Sequence, residues 1–175
     1  MSRISIPVER LVVKPMALWD VQNLLLTSGD LAAGSYNAMT VGWGSLGWMW
    51  RMPFVQVVVR PVRYTYEFIE RYPTFTLCAF PPACRPALQL LGTRSGRDGD
   101  KIAASGLTPE AAGSVAAPAY AQAELVLECR KLYWHDFEPG HFLDERIAGV
   151  YPRLDYHRVY YGEVLAAWGE PFYAA

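Results

Sequence analysis

A chain of 175 residues, 52% of them hydrophobic, can bury one sizeable core, and residues 1–175 read as a single domain. A net charge of −1 and a pI near 6.3 exclude the broad positive field of a nucleic-acid binder or of a protein held on an anionic membrane. No apolar run reaches the ~20 residues of a membrane span. The opening MSRISIPVERLVV lacks the apolar stretch of a secretory signal, so the expectation is a cytoplasmic protein.

In chain order, residues 8–13 read as an edge strand and 21–28 as a strand closed by Gly29-Asp30. Residues 36–41 form the next strand, followed by a glycine- and tryptophan-rich connection. Residues 54–59 (FVQVVV) are the β-branched run of a strand covered on both faces. Thr65 is placed to cap a helix over YEFIERY, stopped by Pro73. TFTLCAF is a strand, ACRPALQLLG a short helix ending at Gly92, and TRSGRDGD a polar turn. KIAASG is a short helix, 108–119 an extended connection, 122–134 a long alternating strand and 157–169 the last strand. Seven or so strands without βαβ alternation predict a mainly β fold, an antiparallel barrel with added short helices.

The chemistry-bearing groups are few. Gly42-Trp43-Gly44-Ser45-Leu46-Gly47 spells GxGxxG, but WMWRMP and a strand follow where a dinucleotide site needs a helix, so the glycines are read as permitting a twisted hairpin or a bulge beside a close ligand. Arg60, Arg63 and Thr65 sit at a strand-to-helix junction, where charge, a hydroxyl and fresh helix N–H groups favour an anion. Ser95 to Lys101 form a second candidate anion nest. The spacing of His135 and His141 matches no zinc pattern, and no metal site is assigned. His157 is a candidate proton relay, though a lone histidine is more often structural. Cys78, Cys84 and Cys129 make no CxxC and read as free thiols of a reducing compartment.

Taken together, YNAMTVGWGSLGWMW, VVVRPVRYTYEFIE, TFTLCAF, LGTRSGRDGDKIAASGLTP and DYHRVYYGEV resemble, in order and across residues 15–168, the flavin reductase-like FMN-binding split-barrel proteins of the flavoredoxin branch. The resemblance implies an antiparallel split β-barrel that binds FMN non-covalently and forms a homodimer. It places Asn37, Met39, Thr40 and the Val41 backbone along the flavin ring. Arg60, Arg63, Tyr64 and Thr65 are implied at the phosphate, with Ser95, Gly96 and Lys101 beside them, and His157 is implied on the nicotinamide side as the catalytic candidate. Two departures stand out: Val62 where Ser is usual, and Tyr156 between Asp155 and His157. The activity implied is an NAD(P)H-dependent reductase of flavin, ferric iron or another acceptor. The alternative is a non-catalytic FMN electron carrier reduced by a partner protein.

Overall fold

The computed structural model describes residues 3–175. Its ten strands are β1 (Ile4–Ile6), β2 (Leu24–Asp30), β3 (Ser35–Val41), β4 (Gly44–Met49), β5 (Met52–Val59), β6 (Thr74–Ala79), β7 (Pro109–Glu110), β8 (Ala119–Tyr120), β9 (Leu125–Asp136) and β10 (Arg158–Gly169). The α-helices are α1 (Pro15–Ala17), α2 (Tyr64–Arg71), α3 (Arg85–Thr93) and α4 (Lys101–Ser105).

Eight strands form one antiparallel sheet in the order β3-β2-β6-β9-β10-β5-β4, with β1 added to the end of β10. The two edge strands, β3 and β4, are consecutive in the chain. Only Gly42 and Trp43 separate them, so the end of β3 and the start of β4 lie within about 11 Å. The sheet therefore curls into a barrel whose seam is crossed by the chain and not by a hydrogen-bonded ladder. This is the split antiparallel barrel expected from the sequence.

The barrel interior is filled by Leu24 and Leu26 of β2, Val55, Val57 and Val59 of β5, Phe75 and Leu77 of β6, Leu125 and Leu127 of β9, and Tyr160 of β10. A second apolar layer lies outside it. There Leu25, Ala38, Cys78 and Val126 meet Leu88 and Leu91 of α3, Ile102 of α4 and Tyr120 of β8. β2 is consequently buried on both faces, which explains its unbroken LLL run. The three cysteines are free thiols, and burial pushes Cys78 up to about 12, leaving it inert.

Several expectations change. Residues 8–10 form a 3-10 turn after Pro7, and only Leu11 makes a β-bridge, to Ala174. The connection after β3 is itself a strand, β4, paired with β5 through a tight turn at Trp50-Arg51, both at positive φ. A Cβ on Gly44 would come within 2.3 Å of the Gln56 carbonyl oxygen and 2.4 Å of the Trp19 ring, which is why glycine stands there. Thr65 is not the cap of α2. Arg63 takes that position without a side-chain capping bond, and Thr65 lies inside the first turn. Gly92 does not end α3, which runs to Thr93; the glycine lets the helix approach Thr40, whose Cβ would lie 3.2 Å from an added Cβ. Residues 108–119 contain β7 and the first residue of β8, and the inner half of β9 is buried on both faces in place of the expected alternation.

Candidate functional site

The end of β3, the β5–α2 turn, the residues before α4 and those before β10 converge on two adjoining cavities. The larger, about 330 Å³, is walled by Met39 to Trp43, Val58, Arg60, Arg63 and His157. The smaller, about 90 Å³, is walled by Arg63, Tyr64, Thr65, Ser95 and Lys101, together with the end of α3. Met39 and Arg63 belong to both walls, so the two spaces adjoin at these residues.

The small cavity is built for an anion. It has room for a few waters, the scale of one phosphate group. The first N–H groups of α2, which no helical carbonyl can reach, open there with the positive end of the helix. The Arg63 side chain has no hydrogen-bond or ion-pair partner among the described residues. Lys101 is buried, and its Nζ donates to the carbonyls of Leu91 at 2.8 Å and Arg94 at 3.0 Å. An ammonium has three N–H bonds, so one remains for a ligand. Burial, and then the nearby Arg63, push the Lys101 pKa down to about 8. The walls thus hold three cationic residues, Arg63, Arg94 and Lys101, and, among the described residues, no carboxylate, an arrangement that a bound anion would relieve.

The larger cavity has a different character. β3 is an edge strand, so alternate backbone N–H and C=O groups between Met39 and Val41 face away from β2 and are free to meet a flat polar edge. Across the cavity, His157 is buried and its ring lies 5.0 Å from that of Trp43. Its Nδ1 is 2.8 Å from the hydroxyl of Tyr151. Burial, reinforced by Arg60, pushes the His157 pKa down to about 4, so the imidazole is neutral near pH 7.

The remaining candidates occupy supporting positions. Asn37 lines neither cavity; it is buried and donates to Thr65 Oγ1 at 2.7 Å. The Thr40 hydroxyl donates to the Leu88 carbonyl at 2.6 Å, tying β3 to α3. Arg60 is turned away from the small cavity: it donates to both carboxylate oxygens of Asp155 at 3.0 and 3.1 Å and to the Val150 carbonyl at 3.0 Å. Ser95 Oγ accepts from the Arg97 amide, and Gly96 fits against Asn37 and Tyr64 where a Cβ would meet Asn37 Oδ1 at 2.3 Å. Arg97 pairs with Glu67 and lies over the Tyr64 ring, bracing the turn from outside. Sequence reasoning missed Trp43 and Tyr151 as site residues. Trp43 was visible only inside a rejected glycine motif, and Tyr151 lies in a stretch with no periodicity.

The family described as the flavin reductase like domain matches residues 21–171. The chain belongs to the flavin reductase-like family. No curated protein matches it. Among solved structures, an FMN-binding domain of a flavin reductases-like enzyme from Shewanella baltica is similar, with a TM-score of 0.70 and 18% identity over 99% of this chain and 85% of that one. A flavoredoxin from Methanosarcina acetivorans gives 0.67 and 23%, over 100% and 79%. An NADH:FAD oxidoreductase from Streptomyces globisporus, in complex with NAD and FAD fragments, gives 0.64 and 18%, over 89% and 80%. These neighbours share the fold of this flavin reductase-like chain.

Proposed function

We propose that this protein binds FMN non-covalently and works as an NAD(P)H-dependent oxidoreductase that reduces a flavin, a ferric complex or another acceptor. The observation that carries the reading is the pairing of cavities: a ring-sized space beside a free strand edge adjoins, at Met39 and Arg63, an anion-sized space with three cationic residues and a helix start. FMN is a flat ring joined to one phosphate, and its phosphate fits the second space. When bound, FMN would supply the two-electron chemistry, taking a hydride equivalent and passing electrons on.

The chain's own part is binding and orientation. Arg63, Lys101 and the opening amides of α2 hold the phosphate, with Ser95 beside it. The free edge of β3 from Met39 to Val41 addresses the polar edge of the ring. His157 faces the same space as a neutral imidazole, so near pH 7 it offers a hydrogen bond and not a positive charge. The test is anaerobic addition of NADH or NADPH to the yellow protein. Loss of the oxidised flavin colour within seconds supports the reductase. A spectrum unchanged by both nucleotides overturns it and leaves a carrier reduced by a partner protein.

Two copies are proposed to pair. Beyond Lys131, β9 is paired with β10 and carries exposed Leu132, Tyr133 and Trp134, with the exposed Trp50 of the β4–β5 turn 6.2 Å from the Tyr133 ring. Such a run of exposed apolar side chains is a patch that expects to be covered. A dimer mass in solution, lost in Tyr133→Glu, checks this, and a monomeric wild type contradicts it.

A further inference from the structure

We infer that Tyr151 and Arg60 are positioning residues for His157: together they hold it as the tautomer with its proton on Nε2, a fixed hydrogen-bond donor toward the ring-side cavity. The Tyr151 hydroxyl has no other partner among the described residues, so its proton points at Nδ1, 2.8 Å away. A neutral imidazole whose Nδ1 accepts carries its one proton on Nε2. Tyr151 is buried and its own pKa is raised, by burial first, so the hydroxyl stays protonated. The Nδ1 edge is occupied, and the edge left to the cavity is the Nε2–H edge.

Arg60 makes this arrangement rigid. Its guanidinium lies 5.0 Å from the centre of the Tyr151 ring while donating to Val150 on one side and Asp155 on the other. That clamp pins both flanks of Tyr151 to the end of β5. Phe142 stacks on the Tyr151 ring at 6.0 Å, and Tyr156 packs at 4.9 Å. Such an investment of contacts in a loop without regular strands is unnecessary for a histidine that merely fills space. Its consequence, which rests on the proposed function, is selectivity. A ligand stacked in the larger cavity would present an acceptor oxygen to His157, such as a carboxamide, carbonyl or nitro oxygen, and not a second N–H.

The tautomer belongs to the protein itself and is measured without any turnover. Long-range ¹H–¹⁵N correlation spectra of the ¹⁵N-labelled full chain at pH 7, with His157 assigned by the signals lost in His157→Gln, should show Nδ1 as the unprotonated nitrogen. Tyr151→Phe and Arg60→Gln should each shift His157 toward a mixture of both tautomers while leaving His135 and His141 unchanged. A wild-type His157 protonated on Nδ1, or on both nitrogens, overturns the inference whether or not the variants fold. A folded Tyr151→Phe with an unaltered His157 pattern overturns the part of Tyr151, and a folded Arg60→Gln with an unaltered pattern overturns the part of Arg60. Failure here leaves the proposed phosphate site untouched, because Arg63, Lys101 and the start of α2 form it without His157 or Tyr151.

Discussion

Asn37 Nδ2 donates to Thr65 Oγ1 at 2.7 Å, joining the edge strand β3 to the first turn of α2 across 28 residues of sequence. Both side chains are buried. Because the hydroxyl accepts from Asn37, its own proton is directed elsewhere, and Thr65 lines the anion-sized cavity. One hydrogen bond thereby fixes the distance between the strand that faces the ring and the helix that faces the phosphate.

Asn37→Ala removes that bond and leaves a buried hydroxyl without its donor, which costs ~1–3 kcal/mol. The melting temperature should fall by several degrees, at roughly 2–4 °C per kcal/mol for a chain of this size. FMN affinity should fall with it. Thermal unfolding followed by circular dichroism and a flavin titration check both; an unchanged protein in both assays contradicts the role given to this contact.

Arg63 and Arg60 stand three residues apart but should respond differently. Arg63→Ala deletes a cation with no protein partner among the described residues, and a charge-assisted bond of ~1.5–3 kcal/mol should weaken FMN binding about 10- to 100-fold with little change in stability. Arg60→Ala breaks the ion pair to Asp155 and frees the Val150–Asp155 segment, so its main effect should be on that loop and on turnover. Titrations of the two variants side by side distinguish them, and equal losses of FMN affinity would show that Arg60 reaches the phosphate.

Lys101 gives the binding a pH dependence. Its pKa lies near 8, below the ordinary 10.5, because burial and Arg63 disfavour the cation. A bound phosphate favours the cation, so binding above pH 8 takes up a proton. From about pH 7 upward, FMN affinity should therefore hold to about pH 8 and decline above it, by at most tenfold per pH unit for one linked proton. In Lys101→Met, binding should be weaker throughout and this decline should vanish. Affinities measured from about pH 7 to 10 in both proteins decide the matter.

Gly44→Ala forces a methyl group against the Gln56 carbonyl and the buried Trp19 ring. Overpacking of this kind costs typically ~1–3 kcal/mol, and the seam of the barrel should loosen. Gly140→Ala, where nothing lies within 4 Å, is the matched control. A melting temperature equal in the two variants would contradict the seam geometry.

The strands with strong local signals are legible in the sequence. FVQVVV and TFTLCAF are β-branched or aromatic runs between clear breaks, and they match β5 and β6 within two residues. β4 is hidden because GSLGWM has two glycines and is exposed or half-exposed throughout, so no alternation marks it. The turn at residues 8–10 reads as a strand because VERLVV alternates, although its first half winds into a 3-10 turn after Pro7. The turn after β5 illustrates the limit for sites in another way. Pro61 and Val62 keep the turn readable, but the partner that claims Arg60 is Asp155, 95 residues on. Likewise Tyr151 lies six residues before His157, just after a short 3-10 helix, and its contact with the histidine is made by the packing and not by any local pattern. Resemblance places Arg63, Thr65 and Lys101 on one ligand; only the packing shows Asn37 behind Thr65 and Lys101 bonded to the end of α3.

The central claim is that one ligand spans a ring site and a separate phosphate site. Calorimetric titration with FMN and with riboflavin, which carries the same ring without the phosphate, tests it directly. FMN should bind one per chain and at least about tenfold more tightly than riboflavin, the equivalent of ~1.4 kcal/mol. Equal affinities for the two, or no binding of either, would contradict it.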